Sequence, residues 1–249
     1  MTREICSNAT DTKTTNPKRN HLLASLSDIE WQRWLPLLEH VELPLGHVLY
    51  ESGRRLSHVY FPTTAIVSLQ YVLEDGSTAE IAMVGNEGLV GVSLFMGGSS
   101  TSSRAVVQSA GHGYRLQATD IKDEFDRSES VLCLLLRYAQ ALITQMSQTA
   151  VCNRHHSLDQ QLCRRLLMSL DRLQGSELAM TQEMIANMLG VRRESVTESA
   201  AKLQDAELIK YSRGLINVQD RLGLEKRACE CYAVVKKEYE RLLPVTPAI

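Results

Sequence analysis

With 249 residues, 44% of them hydrophobic, 22% charged and a net charge of −2, the chain has the composition of a globular protein long enough for two domains. A polycation that coats nucleic acid is excluded, so any nucleic-acid contact must come from a local patch. No run approaches the roughly 20 apolar residues of a membrane span, and residues 1–20 hold no secretory-type apolar segment, so a cytoplasmic protein without membrane contact is expected.

Residues 1–20 are polar and aperiodic and read as a disordered arm. Ser27 followed by Glu30 is a capping-box pattern. It opens a helix carrying Trp31, Trp34 and Leu35, which Pro36 kinks or ends. From Val41 to Gln117 come short β-type runs, HVLYE, HVYFP, AIVSLQYVL, STAEIAMV, RAVVQSA and YRLQA. Turns such as Glu74-Asp75-Gly76 and Gly111-His112-Gly113 separate them, which implies a barrel or roll.

A long helical segment follows. In it Leu132, Leu135, Ala139, Leu142, Met146, Thr149 and Asn153 recur at spacings of three and four, the pattern of a coiled-coil seam between two copies of the chain. Leu136, Ile143 and Ala150 occupy a neighbouring face that would pack on the barrel; the competing reading makes all of these residues core of a monomer.

A second helix, SLDQQLCRRLLMSLDRLQ, leads through Gly175-Ser176 to MTQEMIANMLGVRRESVTESAAKLQ. Thr181 starts a helix, Gly190 permits a tight turn, and another helix runs from about Arg192 to Asp205, which makes a helix-turn-helix. AELIKYSRGLINV then reads as strand, turn and strand, the wing of a winged helix, and LEKRACECYAVVKKEYERLL closes the chain as a helix. The acidic excess lies in residues 1–156, whereas Arg192, Arg193, Lys202, Lys210 and Arg213 cluster in this second part. The first turn of a recognition helix enters the major groove, and an arginine fork matches guanine O6 and N7, so Arg193 is the leading base reader. Glu194, Thr197 and Glu198 would present to the same groove. Thr181, Arg192, Lys202, Ser212 and Arg213 would meet phosphates.

Over residues 22 to about 220 the chain resembles the Crp/Fnr family of bacterial transcription regulators, most specifically at Arg193-Glu194-Ser195-Val196, which matches the family's recognition-helix pattern. The resemblance implies an α+β chain with an N-terminal cyclic-nucleotide-binding-like β-roll (a double-stranded β-helix or jelly roll), a long dimerisation helix and a C-terminal winged helix-turn-helix. The boundaries expected are a disordered arm at 1–20, the roll at 21–127, the dimerisation helix at 128–156 and the DNA-binding domain at 157–249. It implies a homodimer on inverted-repeat double-stranded DNA, with RNA polymerase among its partners, and no enzymatic activity. The alternative is a signal-binding or scaffolding protein whose helix-turn-helix makes protein contacts.

The expected effector pocket holds Gly91, Val92, Ser103, Arg104 and Ala105. Members that bind cyclic AMP place a glutamate and a hydroxyl residue where this chain has Val92 and Ala105, so the roll's ligand is expected not to be cyclic AMP. Gly97-Gly98-Ser99-Ser100 reads as a flexible surface loop or as an anion-binding nest beside Arg104. Six scattered cysteines form no CxxC pair, which points to reduced thiols and against an iron-sulfur cluster. Cys152, His155, His156 and Cys163 are weighed as a zinc site, but packing at the hinge is the expectation and no metal is assigned; Cys229 and Cys231 face different sides of a helix.

Overall fold

The computed structural model describes residues 16–243, so residues 1–15 of the expected arm, and Cys6 with them, lie outside the described residues. Order begins before the expected boundary. Pro17–Arg19 form a 3-10 turn, and the fully buried Asn20 side chain donates to the carbonyls of Pro62 at 3.0 Å and Gly88 at 2.7 Å. Its side-chain oxygen also caps helix α1 (His21–Ala24). One buried amide thus ties a polar segment to the roll, through contacts distant in sequence that local composition does not encode.

Helix α2 (Asp28–Trp34) starts with the capping box of Ser27 and Glu30 and gives way to a 3-10 turn at Leu35–Leu37, where Pro36 cannot continue the ladder. The strands are β1 (Glu39–Leu43), β2 (Val48–Tyr50), β3 (His58–Pro62), β4 (Ile66–Val72), β5 (Thr78–Val84), β6 (Arg104–Ser109) and β7 (Gly111–Gln117). They form two antiparallel sheets, β1-β7-β3 and β2-β6-β4-β5, around a core that includes Trp34, Phe61, Leu89 and Leu116. Gly111-His112-Gly113, expected as a turn, belongs to β7. These residues pair with β1 on one side and Gly113 with β3 on the other, and tertiary pairing overrides their turn propensity.

Helix α3 (Ala118–Arg127) had no counterpart in the sequence reading. Helix α4 (Glu129–His155) is the expected long helix, N-capped by Ser128. After it come α5 (Leu158–Leu170), β8 (Glu177–Ala179), α6 (Gln182–Leu189), α7 (Arg193–Asp205), β9 (Ile209–Ser212), β10 (Leu215–Val218), α8 (Arg221–Arg227) and α9 (Glu230–Leu242). The order β8-β10-β9 makes a small sheet beside the helix-turn-helix. The two halves share surface: Ile66 and Met83 of the roll belong to the second hydrophobic core, and Gln145 of α4 bonds both backbone groups of Met83. Two ion pairs cross the same boundary, Glu80 with Arg165 and Glu87 with Arg172. No helix among the described residues is long and apolar enough to cross a membrane.

The faces of α4 are the reverse of the sequence reading. Leu135, Ala139 and Leu142, taken as the seam, are buried in the chain's own core, whereas Leu136, Ile143 and Val151 stand exposed at 48%, 53% and 46%. Leu132, Met146 and Thr149 are half-buried and Asn153 is exposed. Both stripes carry three-four spacing, and the richer one went inward because the roll offers the larger apolar surface to cover.

Glu30 joins α2 to α4. It accepts from the hydroxyls of Ser128, at 2.7 Å, and Ser130, as well as from the Ser27 amide. Burial alone would raise its pKa, but the hydrogen bonds from Ser130, Ser128 and Ser27 outweigh burial and hold it at about 2. A depressed folded value means stability fully present above the ordinary carboxylate range and lost as pH falls toward about 2. Ser130→Ala is therefore expected to lower stability near neutral pH, with the gap from wild type closing as pH approaches the folded value. Urea unfolding at a series of pH values checks this; a gap independent of pH would show that Ser130 does not act through Glu30.

Candidate functional site

The helix-turn-helix is built from local signals. The Thr181 hydroxyl accepts the Met184 amide at 3.1 Å and so caps α6, and Gly190 ends that helix at φ 64, a left-handed conformation that glycine adopts without a Cβ penalty. Ile185, Ala186 and Met188 on α6 and Val196, Ser199, Ala200 and Leu203 on α7 turn inward and set the angle between the helices. The wing hairpin turns through Arg213 and Gly214 at φ 52 and 79, the two positive values of a type I′ loop.

This frame leaves a cleft of about 650 Å³ between the start of α6, one flank of α7 and the wing. Thr181, Arg193, Thr197, Ser212 and Arg213, five of the nine residues singled out from sequence, line it. The Thr197 hydroxyl lies within donating distance of Gln182 Oε1, at 2.9 Å, and of the Arg193 carbonyl, at 3.0 Å. Glu194 and Glu198 are exposed on the side of α7 opposite its buried residues, and Arg192 is exposed at its N-cap. Lys202 lies apart from the cleft: its Nζ is 3.8 Å from Asp159 near the start of α5. The sequence reading did not include Gln182, Gln204 and Tyr211, which also line the cleft. Gln204 accepts the Tyr211 amide at 2.9 Å and so joins α7 to the wing, a link that only folding creates.

The expected effector residues are placed less openly. Gly91 has φ 110 and starts a 3-10 turn at Val92–Leu94, where Val92 packs against the roll's core. Ala105 is fully buried, and the buried Ser103 has its hydroxyl 3.1 Å from that of Thr101. Arg104 Nε stands 3.6 Å from Glu51 Oε1, so a carboxylate already faces the guanidinium. In the Gly97–Ser100 loop, the Gly98 amide donates to the Ser93 carbonyl at 2.8 Å and is committed within the protein rather than turned toward an anion.

The cysteines assemble differently from the expectation. Cys152 and His156 meet Cys229 and Cys231, with the four donor atoms all within 4.8 Å of one another. His155 and Cys163 stand outside this group; burial pushes the Cys163 thiol up to about 12. Cys229 and Cys231 were missed as partners of Cys152 because more than a whole folding unit separates them along the chain. The spacing Cys-x-Cys after Cys-x3-His is the only signal that could have linked them.

The family model for the cyclic nucleotide-binding domain matches residues 40–128, and that for the Crp-like helix-turn-helix domain matches residues 160–227. No match was found among curated proteins. Solved structures share the fold at low identity. A Crp/Fnr-family transcriptional regulator of Eubacterium rectale superposes with a TM-score of 0.65 at 18% identity, over 84% of this chain and 98% of that one. FixK2 from Bradyrhizobium japonicum gives 0.66 at 15% identity, over 77% and 98%, and a CRP-family regulator of Thermus thermophilus gives 0.64 at 18%, over 76% and 96%.

Proposed function

Because the chain belongs to the Crp/Fnr family of transcription regulators, by its cyclic nucleotide-binding and Crp-like helix-turn-helix domains, we propose that it binds inverted-repeat DNA as a homodimer and that its roll senses an effector other than cyclic AMP. The observation that carries this reading is the cleft in which Thr181, Arg193, Thr197, Ser212 and Arg213 converge beside the exposed face of α7. Arg193 reads a guanine; Glu194 and Glu198 accept from cytosine or adenine amino groups; Thr181, Arg192, Ser212 and Arg213 hold phosphates. Lys202, drawn toward Asp159, serves as a phosphate contact at the edge of the footprint.

The dimer forms through the open face of α4, where Leu136, Gln140, Ile143, Ser147, Ala150 and Arg154 follow at alternating spacings of four and three. The effector reading rests on Val92 and Ala105, both turned to the core, and on Arg104 facing Glu51. Cyclic AMP would find no acceptor for its ribose at Val92, and an arginine that already faces a carboxylate.

Selection of bound sites from random duplexes with the purified protein tests the reading as a whole. Arg193→Ala is expected to cost about 1–3 kcal/mol and to relax preference at one guanine per half-site. Arg213→Ala should weaken all sequences alike and lower the salt slope by about one unit. Recovery of no preferred sequence, or binding that salt leaves unchanged, would count against DNA recognition and favour a protein-contact role.

A further inference from the structure

Helix α4 carries Cys152 in its last turn and is C-capped by His156; Cys229 is the residue before α9, and Cys231 lies in the first turn of that helix. Cys152 Sγ is 3.5 Å from Cys229 Sγ, and Cys231 Sγ is 3.5 Å from His156 Nδ1. Tetrahedral zinc with bonds of about 2.3 Å to sulfur and 2.0–2.1 Å to nitrogen sets its ligand atoms about 3.8 Å apart for sulfur pairs and about 3.5 Å for sulfur and nitrogen. The two separations of 3.5 Å are at this scale, and all four donor atoms lie within 4.8 Å of one another.

Two neighbours fit a cation there. Glu230 Oε2 lies 3.3 Å from His156 Nε2, so a carboxylate holds the far nitrogen of the ring and leaves Nδ1 to the cluster. Arg164 is buried, it donates to the Thr149 hydroxyl at 3.0 Å, its Nε has no hydrogen-bond partner, and no carboxylate pairs with it among the described residues. A buried cation without a counter-charge is costly. Three thiolates around a divalent ion leave one net negative charge, which Arg164 balances; three neutral thiols leave the guanidinium uncompensated.

We propose that Cys152, His156, Cys229 and Cys231 form a Cys3His site for a thiophilic divalent cation, Zn2+ by its donor set, that clamps α4 to α9. Binding displaces the three thiol protons to solvent. With four protein ligands, three of them buried, the site is closed: it stabilises structure and leaves no position for a reacting water. Residues 157–228, which carry the helix-turn-helix and wing, run between its two halves, so the ion fixes both ends of that unit. The Crp-like family model stops at residue 227, short of Cys229, so the second pair of ligands belongs to a segment the model does not cover.

The test uses the full chain, purified under reducing conditions and titrated with Co2+ and then Zn2+. Expected are one ion per chain, thiolate charge-transfer and tetrahedral Co2+ absorption that Zn2+ abolishes, and release of about three protons per Zn2+. Glu230→Gln, on the surface, should fold normally and weaken Zn2+ about 10–100-fold. Cys229→Ser should lose the tetrahedral spectrum, and Cys163→Ser should keep it. Wild type without a tetrahedral Co2+ spectrum, or a fully reduced chain that takes up no Zn2+, would overturn the site.

Discussion

Ile143→Glu is expected to convert the dimer to a folded monomer and to weaken binding to an inverted-repeat duplex by about 10²–10⁴-fold, the gain that linking two half-site contacts provides. The residue is 53% exposed in the single chain, so a carboxylate there is solvated in the monomer and meets an uncompensated apolar face only when two α4 helices come together. Leu142→Glu, one residue away, makes the contrast. Leu142 is 2% exposed inside the chain's own core, and a buried charge there should unfold the protein rather than separate the protomers. Sedimentation velocity with circular dichroism separates the two results. A folded dimer for Ile143→Glu would place the interface off this face of α4.

The same pair of residues shows what was legible in the sequence. That the segment from Glu129 is one long helix followed from its periodicity. Which stripe stays exposed did not, because two apolar stripes about 100° apart satisfy the same three-four spacing and only the position of the roll decides between them. The helix-turn-helix was readable almost residue by residue: Thr181, Gly190 and the Arg213-Gly214 turn act within a few positions of themselves. Contacts that close over long separations were not readable. Asn20 reaching Pro62 and Gly88, Gln204 receiving the Tyr211 amide once the wing folds back, and Cys152 meeting Cys229 all depend on where distant elements dock. The departures at Val92 and Ala105 were visible in the sequence, but the approach of Glu51 to Arg104 needed the roll.

A large loss of stability is expected from Glu80→Gln. Glu80 on β5 and Arg165 on α5 are 8% and 5% exposed, and the guanidinium donates to Glu80, with Nη2 2.8 Å from Oε2, as well as to Gln108. Removing the carboxylate charge leaves Arg165 buried with no counter-ion in contact, at a cost of about 3–5 kcal/mol. Glu80→Leu combined with Arg165→Met replaces the pair by apolar groups and should recover most of that loss, since desolvation of the pair offsets much of its attraction. Urea unfolding of the single and double variants measures both. A cost within about 0.5 kcal/mol for Glu80→Gln would mean that water reaches the pair. The double variant also isolates position from stability. Arg165 contacts Met188 of α6 at 3.0 Å, so the pair sets the seat of the helix-turn-helix on the roll as well as holding it there. A double variant as stable as wild type but altered in DNA affinity would show that the pair's contribution lies in orienting α6 and α7, because stability would then be matched while the docking geometry alone had changed.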